Sequence, residues 1–306
     1  MALNLYALDT FRIVLDNSSF SKAAKILFLS QPAISLQIQN LENFFQVPLL
    51  IRGTSGKIKP TREGQTLYNF ALKLNVLRED LYQKIHKHSG EFSLRLRLGV
   101  CFIAGEHFFP SILDSFKKKY PRTQLSLNIL RCEKIFEGLL SGIFELGVTG
   151  TPPANKSLTK KEITRVPLDL YESGKKNLSS GSISIRQLLD RPLIMREEGA
   201  GMFCEFDRFL KSCGIKMNNF TCICVSQSNE AIKSLVKADM GFSIFPPFMV
   251  REELAKKELT KIILKEGELD QGFYMVYRKK SKIPVHHQET IDFLTREIRN
   301  ITPYSA

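Results

Sequence analysis

"SKAAKILFLSQPAISLQIQNLE", residues 21–42, is the stretch on which the fold turns. Ala23 and Ala24 mark a place where another helix must approach closely, and Ser21 is well placed as an N-cap for that first helix. "LSQ" (29–31) leaves room only for a tight connection. Pro32 then falls in the first turn of a second helix, where its missing N–H costs nothing. In that helix Ile34, Ile38, Leu41 and Phe45 recur at i, i+4, i+7 and i+11, a single stripe facing a core. Gln31, Ala33, Ser35, Leu36, Gln37 and Gln39 include the outward positions. The major groove of DNA admits such a helix. Glutamine can pair bidentately with adenine N6 and N7, and Ala33 and Leu36 can meet thymine methyl groups.

The surroundings extend the helical reading in both directions. "LYALDTFRIVLDNSS" carries apolar residues at 5, 8, 11, 14 and 15, an amphipathic helix running into a polar turn. Downstream, two short β-like pieces at 49–52 and 57–60 flank Gly and Ser, a small hairpin or wing. Thr61 then caps a long helix in which Leu67, Phe70, Leu74, Leu77, Leu81 and Ile85 follow a 3-4 spacing. That stripe is longer than a domain of this size can cover, so the helix over 61–89 is expected to dimerise. "KHSGEFS" (87–93) is a linker. Beyond it strands alternate with helices of about 10–15 residues, a pattern that predicts a largely parallel sheet with helices on both faces.

Composition bounds the partners. A chain of 306 residues holds two or three domains, and 43% apolar residues describe a globular protein. No apolar run reaches the roughly 18–20 residues of a membrane span, and "MALNLYALDTF" has no basic stretch of a signal peptide. A cytoplasmic protein is expected. The net charge of +13 favours anionic partners, but residues 1–62 carry only seven basic against three acidic residues, so charge alone does not locate a nucleic-acid site. The six cysteines show no CxxC pair, so neither a zinc site nor a thioredoxin-like motif is expected. On one helix Cys204 and Cys213 would lie about 13 Å apart, beyond a disulfide's reach.

With these elements in place, residues 21–42 closely resemble the winged helix-turn-helix of LysR-type transcriptional regulators: A-A-x-x-L, two residues, S/T-Q, then S-x-Q-I-x-x-L-E. "LRLGV", "FFPSILDSFKKKYP", "LLSGIFELGVTG" and "RPLIMREEGAG" resemble that family's effector-binding half in the same order. The resemblance is nearest in look to the branches that regulate carbon fixation or sulfur assimilation. It implies a winged helix-turn-helix over 1–60, a linker helix over 61–89, and two Rossmann-like α/β subdomains of the periplasmic-binding-protein type. These would be 93–166 with 268–302, and 167–266. It implies double-stranded operator DNA and a small anionic effector of unknown identity as partners, with self-association as a homodimer or tetramer. RNA polymerase is a further partner compatible with that class, and no cofactor is implied.

The resemblance also nominates residues. Ser21, Ser30, Gln31, Pro32, Ala33, Ser35, Leu36 and Gln39 fall at DNA-facing positions, although many members carry Arg where Leu36 stands. Arg52 and Lys57 sit at the wing, with Lys59 beside them, where phosphate contacts position a protein without specifying bases. The effector cleft would draw on Cys101, Phe102, Arg131, Cys132, Thr149, Arg196, Gly201, Met202, Gln227 and Phe245. Several usual hydroxyl donors are replaced by sulfur or apolar groups. Arg131 and Arg196 suit a carboxylate or phosphate, while Arg196 could equally serve a structural ion pair with Glu197 or Glu198.

Three other readings of the sequence stand beside this one. An enzyme would need a nucleophile and base, but there is no P-loop, HExxH or GxSxG, and Gly199–Gly201 lack a GxGxxG context. His86, His88, His286 and His287 read as solvated. The α/β half could be a ligand-free oligomerisation scaffold on a constitutive DNA-binding protein. Cys101 and Cys132 could form a thiol pair sensing oxidants, although buried cysteines more often simply pack.

Overall fold

The computed structural model describes residues 3–52, 58–85, 94–175, 181–279 and 285–302, without the side chains of 52, 79–80, 82–84, 94–95 and 285–287. It divides into two compact units, one centred on residues 1–93 and the other on 94–306.

The first unit begins with α1 (Leu5–Asn17), whose N-cap Asn4 accepts from the backbone of Tyr6 and Ala7. In α2 (Phe20–Leu27) the cap is Ser19, which accepts from Lys22 N, and not Ser21. An extended backbone at Ser19 starts the helix two residues sooner than the sequence pattern suggests. In α3 (Gln31–Phe45), Ser30 caps by accepting from Ala33 N, and Pro32 lies in the first turn. The strands β1 (Leu50–Arg52) and β2 (Ile58–Pro60) form an antiparallel wing with Ile51 opposite Lys59. The helix α4 (Arg62–Ile85) follows, with Thr61 accepting from Gly64 N.

The core of this unit is Leu8, Phe11 and Val14 of α1, Ala23 of α2, Ile34, Ile38 and Leu41 of α3, and Leu67 and Ala71 of α4. Each comes from a period near 3.6, so each helix turns one stripe inward. The Glu42 carboxylate accepts from Leu49 N at 2.8 Å and Leu50 N at 3.2 Å, tying α3 to the wing. Phe45 departs from expectation: it is 38% exposed. It borders an apolar hollow of about 490 Å³ with Leu3, Leu49 and Phe70, which nothing else among the described residues of this unit fills. Leu77, Leu81 and Ile85 of α4 are likewise exposed.

The second unit alternates strand and helix: β3 (Leu94–Val100), α5 (Phe109–Lys119), β4 (Thr123–Ile129), α6 (Cys132–Ser141) and β5 (Leu146–Thr149). A turn of π-helix over Ala104–Phe108 leads into α5. Next come β6 (Leu158–Ser173), β7 (Leu193–Arg196), α7 (Gly201–Ser212), β8 (Cys222–Ser226), α8 (Asn229–Lys237) and β9 (Ser243–Phe245). The chain continues through α9 (Arg251–Ala255), β10 (Leu259–Ile262), β11 (Leu269–Arg278) and α10 (Val285–Ile301).

The main sheet runs β10-β6-β11-β5-β3-β4 with β9 also on β6, and β7 pairs with β8 separately. It is mixed rather than largely parallel. Among the described strands β3 with β4, β3 with β5, and β7 with β8 run parallel, whereas β11 is antiparallel to β5 and β6. The difference comes from β6, a 16-residue strand hidden in the sequence by its charges and by Pro167. A proline cannot donate to a ladder. It is accommodated next to the point where β6 exchanges β11 for β9 and β10 as partners, at Leu168 and Asp169.

Candidate functional site

The first unit presents a polar helix face. Gln31, Pro32, Leu36, Gln39 and Asn40 are exposed and Ala33 and Ser35 half-buried, while Ile34 and Ile38 point inward. Ser21 and Ser30 are exposed beside them. The Ser21 hydroxyl donates to Gln31 Oε1 at 3.0 Å, which orients the Gln31 amide and leaves that oxygen a second lone pair. Gln37 belongs to the other side: it is half-buried and accepts from the Thr10 hydroxyl at 2.5 Å, a use set by packing of α3 on α1. The backbone of Arg52 ends β1, and Lys57 lies outside the described residues.

In the second unit a cleft forms where the segment after β3, the start of α6, the end of β7, the start of α7 and β11 converge. Seven nominated residues line it: Cys101, Phe102, Arg131, Cys132, Arg196, Gly201 and Met202. Three do not. Thr149 is fully buried and donates to the Thr151 carbonyl at 2.8 Å, because its hydroxyl closes the turn after β5. Gln227 is exposed on the β8–α8 connection. Phe245 is buried against Tyr171, with ring centres 6.4 Å apart, because β9 pairs there with β6. The cleft encloses about 30 Å³, room for about one water.

The electrostatics centre on Glu197. Arg196 Nε donates to Glu197 Oε2 at 2.9 Å and its Nη2 donates to Oε1 at 3.2 Å. Arg196 Nη1 donates to Asn229 Oδ1 at 2.6 Å, and the guanidinium lies 5.1 Å from the centre of the Phe102 ring. Arg131 Nε stands 3.4 Å from Glu197 Oε1, with its side chain 41% exposed. Burial pushes the Glu197 carboxyl up, but hydrogen bonds from Arg196 and the charges of Arg196 and Arg131 outweigh it and hold the group below the usual carboxylate range. The ion pair weighed for Arg196 is therefore present, and it is made to Glu197.

Two helix N-termini add to this field. The backbone N–H groups that open α6 and α7 favour negative charge, and α7 begins at Gly201 with no side-chain cap on its amides. Cys101 is buried, and that burial together with the neighbouring Cys132 pushes its thiol well above the ordinary value. Reactive thiols are depressed, not raised, so the geometry weighs against Cys101 as an oxidant sensor. Among the described residues no group of His, Cys, Asp and Glu is arranged to hold a metal, and no helix is long and apolar enough to cross a membrane.

Sequence reasoning missed Asn229, which anchors Arg196, and Gln271 of β11, which lies against the cleft. Asn229 opens α8 and reads as an ordinary helix start. Gln271 sits in a run otherwise filled by Phe273, Tyr274, Met275 and Val276, and nothing local marks it.

A winged helix-turn-helix with an outward glutamine face, in one chain with a two-lobed α/β half of the periplasmic-binding type, defines a DNA-binding transcriptional regulator. The chain belongs to the LysR family: residues 5–65 match the bacterial regulatory helix-turn-helix protein, lysR family, and residues 89–299 match the LysR substrate binding domain. It is 30% identical to the HTH-type transcriptional activator CmpR of Synechocystis sp., over 95% of this chain and 94% of that protein. Full-length CbnR, solved with its target DNA, shares the fold with a TM-score of 0.68 at 20% identity, over 99% and 100% of the two chains. The regulatory domain of Synechocystis CcmR, solved with 2-phosphoglycolate, has a TM-score of 0.60 at 27% identity and covers 68% of this chain and 98% of that one. The families matched are regulators of transcription, not enzymes.

Proposed function

We propose that this regulator reads operator DNA through Gln31, Pro32, Ala33, Ser35, Leu36 and Gln39 of α3, with Ser21 and Ser30 supporting and Arg52, Lys57 and Lys59 on phosphates. A small anion binding the cleft of the second unit alters that grip. The observation that carries the effector is the convergence of two arginines and two helix N-termini on one narrow cleft. The 2-phosphoglycolate held by the related CcmR domain is of the same chemistry.

On this reading 93–166 with 268–302 forms one lobe and 167–266 the other, with β6 running from one into the other as it exchanges β11 for β9 and β10. The cleft is narrow, with about 30 Å³ of room, so on this reading an organic anion widens it on entering. The exposed Leu77, Leu81 and Ile85 of α4 supply the seam for a homodimer, the unit from which a tetramer would be built.

The test is thermal unfolding of the full chain with 2-phosphoglycolate, together with fluorescence anisotropy on DNA from the promoter it regulates. Ligand at about 100 times its Kd adds roughly 2.7 kcal/mol. A raised midpoint that Arg131→Ala removes, with altered DNA affinity, is expected. No shift with any phosphorylated or carboxylic anion would sink the effector reading.

A further inference from the structure

We infer that Gln271 reads the effector, selecting an anion that also carries a hydrogen-bond donor, such as a hydroxyl, over one that lacks it. This rests on the effector reading above.

Gln271 is 1% exposed, in a strand whose neighbours Gly272 to Val276 are also buried, and it lines the cleft with Arg131 and Arg196. Its Oε1 is buried and accepts no hydrogen bond. An orphaned buried acceptor is a cost that leucine or methionine of similar volume would not incur. The backbone around it is pared back to admit the amide: a Cβ on Gly150 or on Gly201 would lie 2.3 Å from Gln271 Nε2. Two separate segments, the turn after β5 and the first residue of α7, are thus glycine where the glutamine reaches in.

The chemistry follows from what that oxygen lacks. Ionised phosphate and carboxylate oxygens only accept, and nearby thiols are weak donors. The anionic end of an effector suits the arginines and cannot satisfy Gln271 Oε1, which needs a donor. A hydroxyl on the same molecule can. In the closed cleft the void of about 30 Å³ is the size for one water, which the hydroxyl would replace with an equivalent bond.

The test uses the full chain and two anions that differ by one hydroxyl, 3-phosphoglycerate and its 2-deoxy analogue 3-phosphonooxypropionate, with 2-phosphoglycolate as a third probe. Titration calorimetry on the wild type should favour the hydroxylated member about tenfold. In Gln271→Met the ratio should fall to within about twofold, while the midpoint of unfolding without ligand rises by a few degrees because the orphan is gone. A purely structural glutamine would give the opposite stability change. Equal affinities in the wild type overturn the inference even if the variant does not fold. So does a preference for the deoxy compound, which would mean that the amide donates through Nε2. If 2-phosphoglycolate binds and neither paired compound does, Gln271 is misassigned and the effector reading stands. If none of the three binds, the effector reading itself has failed and takes this one with it.

Discussion

Arg196 and Glu197, adjacent in sequence, fold onto each other in a two-bond pair of 2.9 and 3.2 Å, and Arg131, just before α6, reaches the same carboxylate at 3.4 Å. Glu197 therefore occupies the positive field that an anionic effector would use. On the proposed reading an anionic ligand competes with this carboxylate for Arg131 and Arg196. Arg196 is committed to Glu197, Asn229 and the Phe102 ring, whereas Arg131 remains partly free.

The two arginines should separate on stability. Arg196→Ala leaves Glu197 and Asn229 buried without their main donor, and breaking such a pair costs about 3–5 kcal/mol. Arg131→Ala, at a half-exposed position, should cost less than about 1 kcal/mol. Urea unfolding of both variants decides the point; equal losses would contradict the division of labour.

Glu197 also predicts a pH response. Its carboxyl is lowered in the fold relative to about 4.3 in an unfolded chain. The resulting stability is present above that unfolded value and is lost as pH falls through the folded one. Other carboxylates titrate in this window, so the comparison is with Glu197→Gln, whose unfolding midpoint should fall less steeply between pH 5 and pH 3. Parallel curves would refute the assignment.

Gln31→Ala should weaken binding to the specific operator by about 1–3 kcal/mol while leaving the salt dependence unchanged. Arg52→Ala should flatten the salt slope by about one phosphate contact. Anisotropy titrations at several salt concentrations measure both. A Gln31→Ala loss of the same size on random DNA would remove the base-reading role.

Phe28 is a non-glycine residue in the left-handed region, φ 55°, and it is 94% exposed. It loses little packing on replacement, and asparagine tolerates that conformation better. Phe28→Asn should stabilise the protein by about 0.5–1 kcal/mol, read as a higher midpoint without DNA. A lower midpoint would mean that Phe28 has a partner in the folded protein.

The exposed stripe of α4 should be required for assembly. Leu77→Asp or Leu81→Asp places a charge in an apolar seam and should shift the protein to a smaller species in sedimentation velocity, with far-UV circular dichroism unchanged. An unaltered sedimentation coefficient would exclude α4 as the seam.

What the sequence determined by itself was whatever follows from short-range period and chemistry. The 3.6-residue spacing of Ile34, Ile38 and Leu41 sets which face of α3 is buried wherever the helix is placed, so Gln31 and Gln39 had to look outward. Arg131, Cys132, Arg196 and Gly201 were legible only through the family resemblance, which places them at strand ends and helix starts. Long-range pairing lay beyond it. Only the fold bends β6 past Pro167 from one set of partners to another, turns Thr149 and Phe245 away from the cleft, and leaves Gln227 on the surface. Only the fold brings Gln271 of β11 beneath Gly150 and Gly201, more than a hundred and about seventy residues earlier in the chain. A side chain's periodicity states which way it faces on its own element. What it meets there depends on an element folded from another part of the chain.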